Sequence, residues 1–100
     1  MKLIYTPKAN LAILKQFLYV LAKGYPKTAH KFYDDLYNFG NNLAKYPGAH
    51  AICRQPQLAK RKMRCAIFKK NYIFIYRVER NEVVIYNVVH GRRNQQSFTA

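Results

Sequence analysis

The feature that most constrains the fold of this chain is a pair of β-rich segments in its last third. Residues 72–78 and 83–90 consist mainly of β-branched and aromatic side chains, and the short polar turn Arg80-Asn81 separates them. This pattern is typical of a β-hairpin. The second segment ends in a basic cluster formed by His90, Gly91, Arg92 and Arg93. The hairpin should therefore present a cationic end.

The first quarter of the chain predicts a strand and then a helix. Residues 2–5 form a short apolar strand, and Thr6-Pro7 supply an N-cap oxygen and a preset first helical φ. Apolar side chains then recur at helical spacing until Gly24, which should end the helix. The predicted buried stripe consists of Leu11, Leu14, Leu18 and Leu21, widened by Ile13, Phe17 and Val20.

A second helix is predicted to begin at Tyr25-Pro26 and to end at Pro47-Gly48. One face of it is apolar and comprises Ala29, Phe32, Leu36, Phe39, Leu43 and Tyr46. Gly40 lies inside this helix, where glycine costs on the order of 1 kcal/mol relative to alanine. We expect close packing against a neighbouring element to be the reason for that glycine.

The remaining segment before the hairpin contributes a connection and one more strand. Residues 48–62 show little apolar periodicity and predict an irregular surface connection. From Met63 the period becomes two, with Met63, Cys65 and Ile67 on one face. The chain is thus a single α+β domain, residues 1–100, of order β-α-α-β-β-β. Its helical hairpin should pack on one face of an antiparallel sheet and leave the other face open.

The charge of the chain restricts its partners. Its formal net charge is +14 and its pI is about 10.1, and only four acidic residues offset the eighteen lysines and arginines. Self-repulsion of this size favours an anionic partner such as nucleic acid, ribosomal RNA or an acidic protein. The alternative is a basic surface that engages no specific partner.

Cysteine content and hydropathy indicate a soluble cytoplasmic protein. Cys53 and Cys65 match no metal or redox motif, and we expect both to be reduced, partly buried thiols. The apolar stretch at residues 11–22 is interrupted by Lys15 and Gln16 and is too short to span a bilayer. No contact with membranes is therefore expected.

Metal or cofactor chemistry is not expected. His30 and His50 have no second ligand at metal spacing, and acidic residues are scarce. The adjacent Asp34 and Asp35 point to different sides of a helix, so they cannot act as a paired acid and base.

The sequence of the hairpin resembles that of the RelE/ParE superfamily, the bacterial toxins of type II toxin-antitoxin systems. In its ParE-like (plasmid stabilisation) branch, a strand of the form Tyr-x-x-x-Tyr-Arg-Val precedes a strand that closes on His-Gly-Arg-Arg, as residues 72–78 and 90–93 do here. The resemblance covers nearly the whole chain and leaves a polar tail at about 94–100. It implies the fold reached above. It also implies a cognate antitoxin with an acidic wrapping segment, and no small-molecule substrate.

Two activities occur in the family that the chain resembles. ParE-like toxins bind and poison DNA gyrase without catalysis, whereas RelE-like toxins cleave messenger RNA on the ribosome. For cleavage, His90 could transfer a proton while Arg92 and Arg93 stabilise phosphate charge. A hydrogen-bonded strand end is the alternative role of His90. The chain has Ile73 where the nuclease branch typically carries an arginine. This favours the gyrase activity and leaves enzymatic activity open, with a generic RNA-binding domain as a third possibility.

The residues predicted to bind a target or the antitoxin are basic or aromatic and cluster in two stretches. They are Arg61, Lys62, Arg64, Arg77, Tyr86, His90, Arg92 and Arg93. The antitoxin's acidic segment should contact Arg77, Arg92 and Arg93 among them. The alternative for the basic connection is a solvated charge run without a specific partner.

Overall fold

The computed structural model describes residues 1–91 and 99–100. Its elements follow the predicted β-α-α-β-β-β order, with one added short helix in the connection. They are β1 (Lys2–Tyr5), α1 (Pro7–Ala22), α2 (Pro26–Leu43), α3 (Pro56–Lys60), β2 (Arg64–Phe68), β3 (Tyr72–Glu79) and β4 (Glu82–His90). The α+β prediction is confirmed.

The four strands form one sheet in the order β1-β4-β3-β2. β2, β3 and β4 make an antiparallel meander, whereas β1 runs parallel to β4 from the pair Lys2–Glu82 to the pair Tyr5–Ile85. The parallel pairing of β1 follows from the chain path, since the chain reaches the opposite edge of the sheet after the helices and begins the meander there with β2. β1 and β2 are the two edge strands.

The main core lies between the helical hairpin and one face of the sheet, here called the near face. Phe74, Tyr76 and Ile85 are fully buried there. A Cβ added to Gly40 of α2 would collide with the hydroxyl of Tyr5 and lie 3.2 Å from Ile85 Cδ1. The predicted close packing at Gly40 is confirmed, and the neighbouring element is the sheet.

The predicted buried face of α1 is wrong for three of its four leucines, although Ile13 and Val20, which the prediction included, do pack against the core. Leu11, Leu14 and Leu18 are 51%, 41% and 48% exposed, whereas Ala9 and Ile13 are fully buried on the opposite side of the helix. α1 is apolar nearly all round, so periodicity alone admits two stripes. The sheet buries the stripe that contains Ala9, Ile13 and Gln16, and this side of α1 packs on β4.

The predicted face of α2 is largely correct. Ala29, Phe32, Leu36 and Leu43 are buried. The helix ends at Leu43, however, and Tyr46 beyond it is 71% exposed. The prediction that Tyr46 extends the buried face is therefore wrong.

The second face of the sheet, here called the far face, is partly covered by the connection. α3 and its flanking residues place Leu58 and Met63 against Ile75 and Val89, and all four side chains are buried. The expectations of an open far face and an irregular connection are therefore wrong in part, since the face is partly covered and the connection contains a short helix. α3 is only five residues long, too short to show a helical period.

A disulfide joins the connection to β2. Cys53 and Cys65 are bonded, so the expectation of two reduced thiols was wrong. The connection runs back beside β2, where Cys53 N–H donates to Met63 O at 2.8 Å and Cys65 N–H donates to Ala51 O at 3.1 Å. This pairing brings the two Cα atoms to 5.0 Å, within the range that a disulfide bridges.

The last two residues contact the body of the protein. Asn87 Nδ2 donates to Thr99 O at 2.8 Å, and Lys8 Nζ donates to Ala100 O at 2.9 Å. Residues 94–98 of the predicted polar tail lie outside the described residues. None of the helices in the described ranges is long and apolar enough to cross a membrane.

Candidate binding surface

Several predicted binding residues meet on the far face, around a bulge in β4. Tyr76 pairs with Ile85 while Ile75 pairs with Asn87, so Tyr86 has no partner residue on β3. The extra residue turns the Tyr86 side chain to the far face, where it joins the apolar cluster under α3. The guanidinium carbons of Arg61 and Arg77 lie 5.6 Å and 5.5 Å from the centroid of its ring.

Hydrogen bonds fix this arrangement, which we call the arginine–tyrosine cluster (Arg61, Arg77, Glu79 and Tyr86). Arg77 Nε donates to Glu79 Oε1 at 2.6 Å, and Arg77 Nη2 donates to the same oxygen and to Tyr86 Oη. The Tyr86 hydroxyl donates to Glu79 Oε1 at 2.9 Å. Arg77 Nη1 also reaches Arg61 O at 3.4 Å, so the strand and the connection are linked.

These contacts shift the protonation equilibria of the cluster away from neutral pH. Hydrogen bonds from Arg77 and Tyr86 lower the pKa of Glu79 below its usual value. Burial, followed by the hydrogen bond to Glu79, raises the pKa of Tyr86 above its usual value. A general acid or base works best with a pKa near the working pH. The carboxylate and the phenol are therefore suited to holding Arg77 in place and poorly suited to moving protons.

The basic residues of the connection go to different places. Arg61 joins the cluster, and Lys62 beside it is exposed with a φ of 57°. Arg64 is directed elsewhere, since its Nη1 donates to His50 O at 2.6 Å. Thus Arg61, Arg77 and Tyr86 come together, with Lys62 adjacent, while Arg64 stabilises the loop before α3.

His90 lies far from this cluster. It is 8% exposed and packs edge-on against Tyr72 on the near face, with ring centroids 4.8 Å apart. Its register partner Tyr72 is five residues from Arg77 along β3, which is about 16 Å at the rise of a strand. Ile73 is half-buried on the far face. Arg92 and Arg93 lie outside the described residues.

No metal site is evident near these groups. Across residues 1–91 and 99–100, the structure has no cluster of three or more histidine, cysteine or carboxylate side chains that could hold an ion.

Two features of the candidate binding surfaces were not predicted from the sequence. Glu79 was not singled out, although its spacing of two from Arg77 on a strand places both side chains on one face. The exposed stripe of α1, which we call the leucine stripe (Leu11, Leu14 and Leu18), was assigned to the core. At 100° per residue, Lys8 and Lys15 lie along one side of it. A contiguous exposed apolar stripe with a basic margin is a feature of protein-binding surfaces.

Comparisons with known proteins agree with this architecture. The family model described as the ParE toxin of the type II toxin-antitoxin system parDE matches residues 3–95. The chain belongs to the ParE toxin family. A solved structure titled as the chromosomal ParDE toxin-antitoxin system from P. aeruginosa shares the ParE fold at a TM-score of 0.75. It is 19% identical, and the alignment covers 90% of this chain and 95% of that one. The curated proteins contain no match.

Membership of the ParE family makes this chain the toxin component of a type II toxin-antitoxin system. It also implies an antitoxin partner. The predicted resemblance to the RelE/ParE superfamily is thereby confirmed.

Proposed function

We propose that this ParE toxin acts by binding DNA gyrase, without catalysis of its own, and that a cognate antitoxin neutralises it. The observation that carries this proposal is the arginine–tyrosine cluster. It gathers two guanidinium groups on an exposed face but contains no side chain poised for proton transfer near neutral pH.

The position of His90 supports binding over messenger cleavage. Arg92 and Arg93, the arginines predicted to assist His90 in cleavage, lie outside the described residues. Among the described arginines, Arg77 would have to lie around the same phosphate as His90. His90 and Arg77 lie instead on opposite faces of the sheet and about 16 Å apart along the strands. Ile73, at the position where the nuclease branch typically carries an arginine, supplies no positive charge near His90 or near Arg77.

The leucine stripe is the surface that we assign to the antitoxin. α1 contains Lys8 and Lys15 but no acidic residue, and its exposed leucines are spaced for a helical partner. The matching ligand is an amphipathic acidic segment that buries its apolar side on Leu11, Leu14 and Leu18. Such a segment could continue around the protein to the basic residues of the far face.

This function places the toxin in the cytoplasm, where gyrase acts. Thiol buffers there keep most cysteines reduced. The disulfide between Cys53 and Cys65 would then form only under oxidising conditions. Two backbone hydrogen bonds, from Cys53 N–H to Met63 O and from Cys65 N–H to Ala51 O, also attach the connection around it, so the fold does not depend on the disulfide alone.

Two parallel assays test the proposed target. Purified toxin is added to gyrase with supercoiled plasmid and ATP, and separately to a translating extract with a labelled messenger. We expect linear plasmid to accumulate while the messenger stays intact. Messenger cleavage that disappears in His90→Ala, with no effect on plasmid topology, would overturn the proposal in favour of a nuclease.

The antitoxin surface is tested by co-purification with the product of the neighbouring reading frame. Leu14→Gln combined with Leu18→Gln should weaken the complex at least tenfold. The matched control is Ile67→Gln, which removes an apolar side chain that is 62% exposed on β2 and should leave the complex intact. Equal losses in both variants would contradict the assignment.

A further inference from the structure

The far face carries an unbalanced concentration of positive charge. The connection that covers part of the far face, residues 48–62, includes four lysines and arginines and no acidic residue. Three of these cations, Lys60, Arg61 and Lys62, follow one another at the carboxyl end of α3. All three are exposed, and Arg61 contacts Arg77 of β3 through its carbonyl.

Arg80 extends this surface at the turn between β3 and β4. It lines a shallow groove together with Arg77, Glu79, Asn81 and Glu82. Glu79 is already neutralised by Arg77. Within residues 1–91 and 99–100, the side chains of Lys60, Arg61, Lys62 and Arg80 form no ion pair. We call these four residues the basic patch.

The backbone at two of the four positions is unfavourable for the residues that occupy it. Lys62 has a φ of 57° and Arg80 a φ of 44°. This left-handed conformation costs an ordinary residue about 1 kcal/mol, and glycine or asparagine would adopt it more readily. Lys69 and Lys70, outside the patch, share this conformation, so it does not by itself distinguish the patch. At Lys62 and Arg80 it occurs with exposed side chains that are available to a ligand.

The chemistry of the patch indicates which anion it fits. The groove beside it is lined only by polar and charged residues, and the apolar Leu58 and Met63 are buried beneath the surface. Protein partners usually need an apolar centre in the contact, whereas nucleic-acid contacts are polar and strongly positive. The Tyr86 ring already contacts two guanidinium groups. The surface therefore offers a ligand positive charge and not a free aromatic ring on which a base could stack.

We infer that the basic patch binds the phosphate backbone of duplex DNA without reading its base sequence. This inference rests on the proposed function and deepens it, since the DNA held by gyrase is the duplex that a bound toxin would meet. Arg61 and Arg80 can each donate two hydrogen bonds to one phosphate, while Lys60 and Lys62 act as point charges.

The test measures binding of the purified toxin, without gyrase, to a fluorescein-labelled 30-base-pair duplex by anisotropy across a range of KCl concentrations. The patch variant combines Arg61→Gln, Lys62→Gln and Arg80→Gln. The control variant has the same net charge and combines three exposed lysines of the helical layer, namely Lys23→Gln, Lys27→Gln and Lys45→Gln. Each phosphate contact contributes about 0.9 to the slope of log affinity against log salt.

The patch variant should lose about 2.7 from this slope, which is three contacts at about 0.9 each, while the control keeps the wild-type slope. Glu79→Gln should act in the opposite direction and tighten DNA binding, because it releases Arg77. Equal slopes for the patch and control variants would overturn the inference, since binding would then reflect only overall charge.

Labelled polyglutamate serves as the probe for an acidic protein segment. Binding of polyglutamate should depend equally on the patch and control lysines. Loss of polyglutamate binding in the patch variant alone, with duplex binding retained, would overturn the inference in favour of an acidic protein. Failure of the wild type to inhibit gyrase refutes the proposed function, whereas the gyrase-free DNA measurement still decides the inference.

Discussion

Substitutions on the two opposite faces of α1 distinguish which face holds the fold together. Ile13 is completely buried against the sheet, whereas Leu18 is 48% exposed on the leucine stripe. Ile13→Ala removes buried methyl groups and leaves a cavity, which typically costs 2–5 kcal/mol. Full burial of a leucine contributes about 2 kcal/mol. About half of Leu18 is in water and no cavity forms there, so Leu18→Ala should cost about 1 kcal/mol or less.

The free energy of unfolding of both variants is measured by urea titration followed by circular dichroism. For a domain of this size, 1 kcal/mol corresponds to about 4–8 °C in Tm. Ile13→Ala should therefore lower Tm by more than about 8 °C, and Leu18→Ala by less than about 8 °C. Antitoxin binding should show the reverse order, with Leu18→Ala weakening the complex more than Ile13→Ala. Equal destabilisation by the two substitutions, or a larger effect of Leu18→Ala, would refute the assigned orientation of α1.

Three further predictions follow from the packing and the ionisable groups. Gly40→Ala should destabilise the fold by about 1–2 kcal/mol in urea titration, because the clash with Tyr5 of β1 exceeds the gain in helix propensity. The control Gly48→Ala should be neutral, because Gly48 has open space around it. Replacing Cys53 and Cys65 by serine should lower the free energy of unfolding by about 3 kcal/mol, as expected for a disulfide with a sequence separation of 12. Reducing the wild-type protein should give the same loss of stability. A reductant that left the stability unchanged would count against the disulfide. Burial raises the pKa of Tyr37 to about 12. Above pH 10 the unfolded chain therefore loses a proton that the folded protein keeps, and the free energy of unfolding should fall between about pH 10 and 12. A spectrophotometric titration in which every tyrosine ionised near pH 10 would contradict this prediction.

Much of the architecture could be read from the sequence because it depends on local patterns. The Arg80-Asn81 turn between two β-branched segments specifies the final hairpin, and Thr6-Pro7 marks the start of α1. The Thr6 hydroxyl indeed accepts a hydrogen bond from Ala9 N–H at 3.1 Å. It also donates to Tyr86 O at 3.0 Å, which joins the start of the helix to the bulge in β4.

The features that the sequence did not reveal depend on contacts between distant segments. The orientation of α1 is set by the sheet, because both of its stripes are apolar. The disulfide requires the connection to lie beside β2, which the spacing of Cys53 and Cys65 does not encode. The arginine–tyrosine cluster requires a bulge that places Tyr86 on the same face as Arg77 and Glu79.

The most direct test of the account is the gyrase assay performed with a variant that lacks both protic groups of the arginine–tyrosine cluster. Glu79→Gln combined with Tyr86→Phe removes the carboxylate and the phenol but retains both guanidinium groups. Gyrase binding by this variant is measured in parallel, because both groups hold Arg77 in place. We predict that linear plasmid accumulates in proportion to the gyrase binding that remains. Complete loss of linear plasmid in a variant that remains folded and still binds gyrase would contradict a toxin that works by binding alone.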